Sequence, residues 1–177
     1  RLAYQYVDFV RWQQLSNGAN EAQLLYWKKK LAGSLPRLEL PTDRTVSSPE
    51  SLRGANETLL LSKELSKALP AFAARENATV FMVLLATFVT LLHRITGQDD
   101  IILGSPIAGR NQPQLARLIG LFLSTLVLRF DVTGNPTFRE LLARVRETAL
   151  EAYSNQDVPF ERLVEELGDR LRARPGP

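Results

Sequence analysis

Two reactive side chains are scarce in this sequence of 177 residues, which contains no cysteine and a single histidine. Without cysteine there is no disulfide and no thiolate nucleophile. A zinc site built from cysteine and histidine is excluded too, because one histidine cannot complete it. That histidine, His93, stands beside an arginine near the end of a predicted helix. We interpret it as a surface or half-buried residue rather than a catalytic one.

Long apolar runs are also missing. Residues 80–92 come nearest to a membrane span, and Thr87 and Thr90 interrupt them. The N-terminus has no signal-peptide architecture. With 45% hydrophobic and 23% charged residues, the composition is typical of a soluble globular protein. We therefore expect a cytoplasmic protein that is not bound to a membrane.

The charge is only mildly basic, at +3. Local clusters occur at Lys28–Lys30 and at Arg170, Arg172 and Arg174. A solvated helix face and a frayed tail explain them, and a docking surface for an acidic partner is the alternative. Nucleic acid is not an expected partner, because no aromatic residues alternate with the basic ones to stack on bases.

Complete catalytic patterns are missing as well. Proline follows Ser105 in Gly104-Ser105-Pro106, so this is no nucleophile elbow. Asp99–Asp100 precedes a strand and is interpreted as a turn rather than a metal pair. There is no glycine loop of the phosphate-binding type. These residues predict a supporting lobe without a complete active site and without a metal.

Hydrophobic periodicity predicts the order helix, helix, strand, helix, helix, strand, strand, helix, helix, which is an α/β lobe with few strands. The predicted strands are Glu57–Leu61, Ile101–Leu103 and Ile119–Arg129. The first helix, over residues 3–15, should end at Ser16–Gly18, and the second at Gly33.

The later helices carry clearer signals. Ser62 is a plausible N-cap for a helix that Pro70 should kink or shorten. The next helix starts at Asn77–Thr79, ends at Gly97 and is apolar all round, so we expect it to be buried on most sides. Thr137 and Glu140 form a capping box for a helix that is broken at residues 155–159. Phe160–Leu167 is the last predicted helix.

The predicted strand Ile119–Arg129 begins beside a glycine and is almost wholly apolar, apart from Ser124 and Thr125. Two hydroxyls in such a strand indicate that one face meets a cavity, a ligand path or another lobe. The alternative is that both hydroxyls bond to neighbouring backbone.

Five stretches, taken together, resemble motifs of the condensation domains of nonribosomal peptide synthetases. Tyr6–Gln13 resembles Tyr-x-Asp-Tyr-Ala-x-Trp, and Leu38–Arg44 resembles the family's linker. Ile101–Arg110 resembles Val-Gly-Ser-Pro-x-Ala-Asn-Arg, and Ile119–Arg129 resembles Gly-x-Phe-Val-Asn-Thr-Leu-x-x-Arg. Asn155–Glu161 resembles His-Gln-Asp-x-Pro-Phe-Glu. The stretches occur in family order and with family spacing over nearly the whole chain.

The resemblance implies one lobe of a chloramphenicol-acetyltransferase-like fold, incomplete at both ends. Two such lobes enclose a tunnel, in which the amine of a carrier-bound amino acid attacks a carrier-bound thioester. The implied partners are the N-terminal lobe of the same domain, donor and acceptor peptidyl carrier proteins, and adjacent synthetase domains. No cofactor is expected to bind directly, since the carriers bring phosphopantetheine arms. The family's His-His-x-x-x-Asp-Gly motif is missing here, so we expect the chain to be inactive alone.

The same resemblance implies a division of the chain. Residues 1–34 correspond to helices from the end of the N-terminal lobe, and residues 35–50 to an extended linker. Residues 51–167 correspond to the C-terminal lobe, and residues 168–177 to a frayed tail. A fragment of an epimerisation or cyclisation relative is the alternative, as is a carrier-docking module without chemistry.

The expected site residues line the tunnel or the interface between the lobes, with no catalytic residue among them. They are Ser105, Arg110, Gly120, Phe122, Ser124, Thr125, Gln156 and Asp157. Ser124, Asn155 and Gly109 depart from the family's asparagine, histidine and asparagine. The resemblance implies that Arg110 helps hold the loop at the lobe interface and pairs with an aspartate of the other lobe. Without that lobe, Arg110 is expected to be exposed or mobile.

Overall fold

The computed structural model of the chain describes residues 4–15, 21–42 and 55–168. Several expected features lie outside these residues. They are the helix stop at residues 16–18, the second half of the linker at residues 43–50, and residues 169–177 with the terminal arginines. Residues 35–42, the described part of the linker, contain neither helix nor strand, as their prolines predict.

Six α-helices and two strands make up the regular structure of the described residues. The helices are α1 Tyr6–Leu15, α2 Glu21–Lys30, α3 Lys63–Arg75, α4 Val80–Thr96, α5 Phe138–Ser154 and α6 Phe160–Leu167. The strands are β1 Asp100–Ile107 and β2 Ser124–Asp131, with a short 3₁₀ turn at Pro113–Leu115 between them.

β1 and β2 pair with each other as a two-stranded sheet. The Val132 amide donates to the Asp99 carbonyl at 2.8 Å, and Gly104 lies beside the Thr125 methyl group. Because residue numbers rise along one strand as they fall along the other, the strands run antiparallel. Leu126, Val127 and Leu128 are all buried, so this part of β2 is covered on both faces.

The chain divides into two compact units. The first contains the described residues within 4–36, 102–129 and 150–168. α2 packs against α6 within it. Its large buried side chains include Leu24, Trp27, Leu31, Leu115, Leu118, Phe122, Leu126, Leu128 and Leu163.

The second unit contains the described residues within 37–101 and 130–149. α3 packs against α4 here, and the Phe72 ring lies 6.2 Å from that of Phe138 at the start of α5. Its buried side chains include Met82, Val83, Leu85, Val89, Leu92, Ile101, Phe130, Leu142 and Val145. The family's division at residues 34, 50 and 167 stays a prediction.

Local signals predicted the helix ends well. Ser62 Oγ accepts the Leu65 amide hydrogen bond as the N-cap of α3, and Gly97 ends α4 in the left-handed conformation. Thr137 and Glu140 exchange hydrogen bonds as the predicted capping box. These bonds favour the charged carboxylate, so the pKa of Glu140 is lowered. α6 has the predicted bounds.

The strand predictions were less accurate. Glu57–Leu61 pairs with no strand among the described residues, and Leu59 and Leu60 are strongly exposed. β1 continues through Gly104-Ser105-Pro106 to Ile107, and β2 starts at Ser124 rather than at residue 119. Strand content depends on a backbone partner, which the local sequence does not reveal.

α4 is buried along one face only, which corrects the expectation of burial on most sides. Met82, Leu85, Val89 and Leu92 lie in the core. The opposite apolar stripe, in contrast, leaves roughly half of each side chain exposed. It consists of Phe81, Leu84, Phe88, Leu91 and Ile95.

No single helix of the described chain is both long and apolar enough to cross a membrane. α3 and α4 reach that length and hydropathy only as a pair, which is bent by 99°.

Pro70 lies inside α3, which runs from Lys63 to Arg75 and does not end at the proline, so of the expected kink or shortening the shortening does not occur. A proline there has no amide hydrogen to donate to the carbonyl four residues earlier. We predict that Pro70→Ala will raise the free energy of unfolding by roughly 1–2 kcal/mol, less than the full interior penalty because proline also stiffens the unfolded chain. Denaturant unfolding measures it.

The matched control is Pro41→Ala, at an exposed proline outside any helix. It removes the same chain stiffness without restoring a helical hydrogen bond, and should leave stability unchanged or slightly lower. Equal effects of the two substitutions would contradict the helical explanation.

Candidate functional site

Tyr6 on α1 joins two of the motif stretches. Its hydroxyl donates a hydrogen bond to the Leu121 carbonyl at 2.9 Å. Its ring meets the Phe122 ring edge-on, with centroids 5.3 Å apart. In the same stretch, the Asp8 carboxylate accepts the Gln5 amide at 2.8 Å and so caps the start of α1.

The position of the Tyr6 ring also requires a glycine at position 120. A Cβ at this position would lie 2.3 Å from Cδ2 of Tyr6, which no real contact allows. The glycine therefore permits the close approach of α1 to residues 119–122.

Gly109 is constrained in a similar way. Its φ of +62° is in the left-handed region, and an added Cβ would lie 1.9 Å from the Phe122 carbonyl oxygen. The family's asparagine also tolerates positive φ, but the close approach to Phe122 admits only glycine in this conformation.

Arg110 is neither unpaired nor free, which corrects the expectation for it. Its guanidinium donates to the carbonyls of Leu115 and Leu118, the latter at 2.9 Å, and lies 3.5 Å from that of Gly120. Its Cζ is 4.1 Å from the centroid of the Phe122 ring, a cation–π contact. The side chain folds back on its own loop because three backbone carbonyls there need donors.

A small cleft forms where the motif stretches meet. We call it the motif cleft, and its volume open to water is about 60 Å³. Aromatic rings and polar side chains from α1, the residues after β1, the start of β2 and the turn before α6 line it. They include Phe9, Trp12, Gln13, Gln112, Phe122, Ser124, Gln156 and Asp157.

The structure brings together four of the eight predicted site residues. Phe122, Ser124, Gln156 and Asp157 line the motif cleft. The other four, Ser105, Arg110, Gly120 and Thr125, are not among its lining residues. Arg110 and Gly120 shape the loop behind it.

The sequence led us to expect that Ser124 and Thr125 both line the tunnel, but in the structure their side chains lie in different places. Ser124 lines the motif cleft, whereas Thr125 places its methyl group beside Gly104 of β1. Successive side chains of a strand point to opposite faces, so the two hydroxyls separate.

Sequence reasoning missed Phe9, Trp12 and Gln13 as cleft residues. Their spacing at i, i+3 and i+4 is the available signal, because these positions share one helix face. Phe9 stacks at 4.7 Å on Phe122 and at 6.0 Å on Trp12.

A larger, shallower groove of about 280 Å³ adjoins α1. It is lined mainly by Tyr4, Asp8, Phe9, Trp12, Leu115 and Leu118. It shares Phe9, Trp12, Gln112 and Leu115 with the motif cleft. The exposed side of α1 is thus unusually aromatic.

Two side chains of the turn before α6 bond to the end of α5. The side-chain amide of Gln156 donates to the Tyr153 carbonyl at 2.7 Å, and that of Asn155 donates to the Glu151 carbonyl at 2.8 Å. Asn155, which replaces the family's histidine, thus caps the end of α5.

Glu151 on α5 carries a compact polar cluster with α2. Its Oε2 accepts hydrogen bonds from Lys30 Nζ at 2.9 Å and from the Tyr26 hydroxyl at 3.1 Å. The bond from Lys30 lowers the pKa of Glu151. Burial, reinforced by the Glu151 charge, raises the pKa of Tyr26.

His93 has a structural role near the end of α4. Its Nδ1 lies 3.0 Å from the Gln98 carbonyl and 3.4 Å from the Asp99 carboxylate. Among the described residues no group of three His, Asp or Glu side chains could hold a metal ion.

Comparison with known proteins identifies the family. The family model for the condensation domain matches residues 2–174. The chain belongs to the condensation-domain family. This confirms the identification made from the five motif stretches.

Peptide synthases are among the proteins that this chain resembles. A linear gramicidin synthase polypeptide of Brevibacillus parabrevis is 54% identical over 168 residues, which cover 94% of this chain and 3% of that protein. The solved X-domain from teicoplanin biosynthesis matches with a TM-score of 0.85 at 30% identity, covering 94% of this chain and 38% of that one. The condensation domain from the Monacolin K polyketide synthase MokA matches with a TM-score of 0.77 at 26% identity, covering 96% and 42%.

These matches confirm the predicted chloramphenicol-acetyltransferase-like fold. Peptide-bond formation is the general function of condensation domains in nonribosomal peptide synthetases. The chain spans less than half of the solved chains, so the activity of the whole protein is a separate question.

The contact between Gly120 and Tyr6 leads to a prediction. Gly120→Ala should lower the free energy of unfolding by about 1–3 kcal/mol, because the new methyl group overlaps the Tyr6 ring. In a Tyr6→Ala background the same change should cost much less, which a double-mutant cycle by denaturant unfolding measures.

Gly104→Ala is the control, since its methyl group would meet only the Thr125 methyl, at 3.2 Å. Additive effects of Gly120→Ala and Tyr6→Ala would show that the close approach is not what requires glycine.

The lowered pKa of Glu151 gives a pH dependence. A carboxyl whose pKa is lower in the folded state stabilises the fold above its ordinary value of 4.5, and that contribution disappears as pH falls through the lowered pKa. Glu151→Gln should therefore be destabilising at pH 7 and progressively less so below pH 4.5. Urea unfolding across pH tests this, with exposed Glu147→Gln on the same helix as control. A deficit that stays constant with pH would contradict it.

Proposed function

We propose that this chain is the C-terminal lobe of a condensation domain that forms amide bonds between carrier-bound substrates. The observation that carries the proposal is the meeting of four motif stretches at one cleft, in a chain whose family match covers residues 2–174. The substrates are an acyl thioester and the amine of an amino acid, each on a phosphopantetheine arm.

The reaction defines what a site must supply. The amine nitrogen bonds to the thioester carbonyl carbon, the carbon–sulfur bond breaks, and a thiol leaves with a proton. A group near the amine has to accept the proton that nitrogen loses. His93 is the sole histidine of the sequence, and it is bonded to Gln98 rather than placed among the cleft residues. The proposal therefore assigns proton transfer to the family's histidine pair, outside these residues.

The size of the motif cleft supports a role as one wall of a path. Its 60 Å³ corresponds to about two water molecules, whereas enclosed ligand sites are typically about 300 Å³ or larger. The cleft alone thus does not enclose a pantetheine arm.

The chemistry of the wall suits such an arm. Pantetheine contains amide groups in a flexible chain, and Gln13, Gln112 and Gln156 each carry an amide donor and acceptor. Ser124 adds a hydroxyl, while Phe9, Trp12 and Phe122 exclude water beside them. In the proposal these side chains orient an arm and do not touch the proton.

A docking module without chemistry has less support. In the basic stretch of α2, Lys28 pairs with Glu166 at 2.6 Å and Lys30 with Glu151 at 2.9 Å. Both ammonium groups are therefore occupied within the chain itself.

An amide-formation assay with carrier-bound substrates tests the proposal. The 177-residue chain should give no product, and the complete domain that carries the histidine pair should give product. In the complete domain, Gln156→Ala should lower kcat/KM roughly tenfold, the usual scale for losing an orienting hydrogen bond at a reacting group. Exposed Glu147→Ala, outside the basic stretch, is the control.

Product from the chain alone at the rate of the complete domain would contradict the assignment of proton transfer. Epimerised or cyclised product in place of an amide would favour the relatives named above. Saturable carrier binding by a complete domain that makes no product would favour a docking module.

A further inference from the structure

One face of α2 contacts residues 151–157 through hydrogen bonds. Gln23, Tyr26, Trp27 and Lys30 are spaced at i, i+3, i+4 and i+7 and so share a face of the helix. Each of the four donates a side-chain hydrogen bond to this segment. No motif resemblance pointed to this face.

Gln23 makes a reciprocal pair with Asp157. Its Nε2 donates to Asp157 Oδ2 at 3.0 Å, and its Oε1 accepts the Asp157 amide at 3.1 Å. One side chain thus holds both the backbone and the carboxylate of a cleft residue. A single carboxamide has both the donor and the acceptor that this requires.

Trp27 anchors the first residue of the turn. It is 1% exposed, and its Nε1 donates to the Asn155 carbonyl at 2.8 Å. A buried indole with a satisfied N–H is rigid, because packing fixes its ring and the hydrogen bond fixes its orientation. Gln156 therefore lies between two residues that α2 holds.

α2 is itself held from β2. The Arg129 guanidinium donates to the carbonyls of Lys30 at 3.2 Å, Ala32 at 3.0 Å and Ser34 at 3.2 Å. These carbonyls lie at and beyond the helix C-terminus, where a positive charge and extra donors stabilise the end of a helix. A helix of 10 residues has little stability of its own, so its position comes from such contacts.

We infer that Gln23 and Trp27 are positioning residues of the condensation site. Through them α2 fixes the turn at residues 155–157, so that Gln156 and Asp157 keep their places in the motif cleft. The consequence for catalysis rests on the proposed function, whereas the effect on the turn does not.

Amide hydrogen exchange in the complete domain tests the effect on the turn directly. Gln23→Met keeps the length of the side chain but removes both hydrogen bonds, and exchange at the Asp157 amide should become roughly three- to tenfold faster. Trp27→Phe, which loses the indole donor, should accelerate it in the same direction. Lys29→Ala, an exposed change on the same helix, should leave it unaltered.

Exchanging the amide and the carboxylate between positions 23 and 157 distinguishes loss of the specific hydrogen bonds from general destabilisation of the fold. Gln23→Glu places two carboxylates together and should accelerate exchange at residue 157. Adding Asp157→Asn gives position 157 an amide that can donate to the new carboxylate, and exchange should return towards the wild-type rate. Failure of this rescue, or equal acceleration at core amides such as that of Val145, would overturn the inference.

Kinetics in the same complete domain test the catalytic consequence. Gln23→Met should lower kcat/KM roughly three- to tenfold, while exchange at core amides such as that of Val145 stays at the wild-type rate. Unchanged kinetics with faster exchange would overturn the positioning role. A wild-type domain that forms no amide would refute the proposed function instead, and exchange at residue 157 would then decide the inference alone.

Discussion

The packing of Phe122 is the interaction on which the motif cleft depends. Its ring contacts Tyr6, Phe9 and Arg110 at 5.3, 4.7 and 4.1 Å, and its carbonyl fits against Gly109. Aromatic and cation–π contacts are directional, so one ring fixes a helix, a loop and the start of a strand relative to one another. This packing requires glycine at positions 109 and 120, because a Cβ there would overlap the Phe122 carbonyl or the Tyr6 ring.

Most of the recognisable residues of the family therefore have structural roles in this chain. Asp8 caps a helix, Arg110 satisfies the carbonyls of its loop, and Arg129 caps the end of α2. Their charges are used within the chain, where backbone groups would otherwise lack partners. The side chains that face the motif cleft are mainly amides, a hydroxyl and aromatic rings, and the carboxylate of Asp157 accepts a hydrogen bond from Gln23. Such groups orient a substrate better than they exchange protons with it.

Local physics explains which elements could be predicted. Helix ends at Ser62, Gly97 and Thr137 depend on bonds within one turn, so their signals are adjacent in the sequence. The α4 pattern identified a helix correctly, but it did not reveal that the Phe81–Ile95 stripe stays exposed in this chain. Apolar periodicity indicates a surface that favours burial, and not what covers it. Glu57–Leu61 failed for the same reason, since a strand needs a partner.

The sequence by itself determined the family and the helices, because motif order and helical periodicity are written along the chain. Four of the eight residues that it predicted for the tunnel or lobe interface line the motif cleft. Only the tertiary structure decided that Arg110 folds onto its own loop, that Ser124 and Thr125 separate, and that Gln23 holds Asp157. Each of these depends on residues that meet in space. Gln23 and Asp157 are 134 positions apart, and no local pattern encodes a contact over that distance.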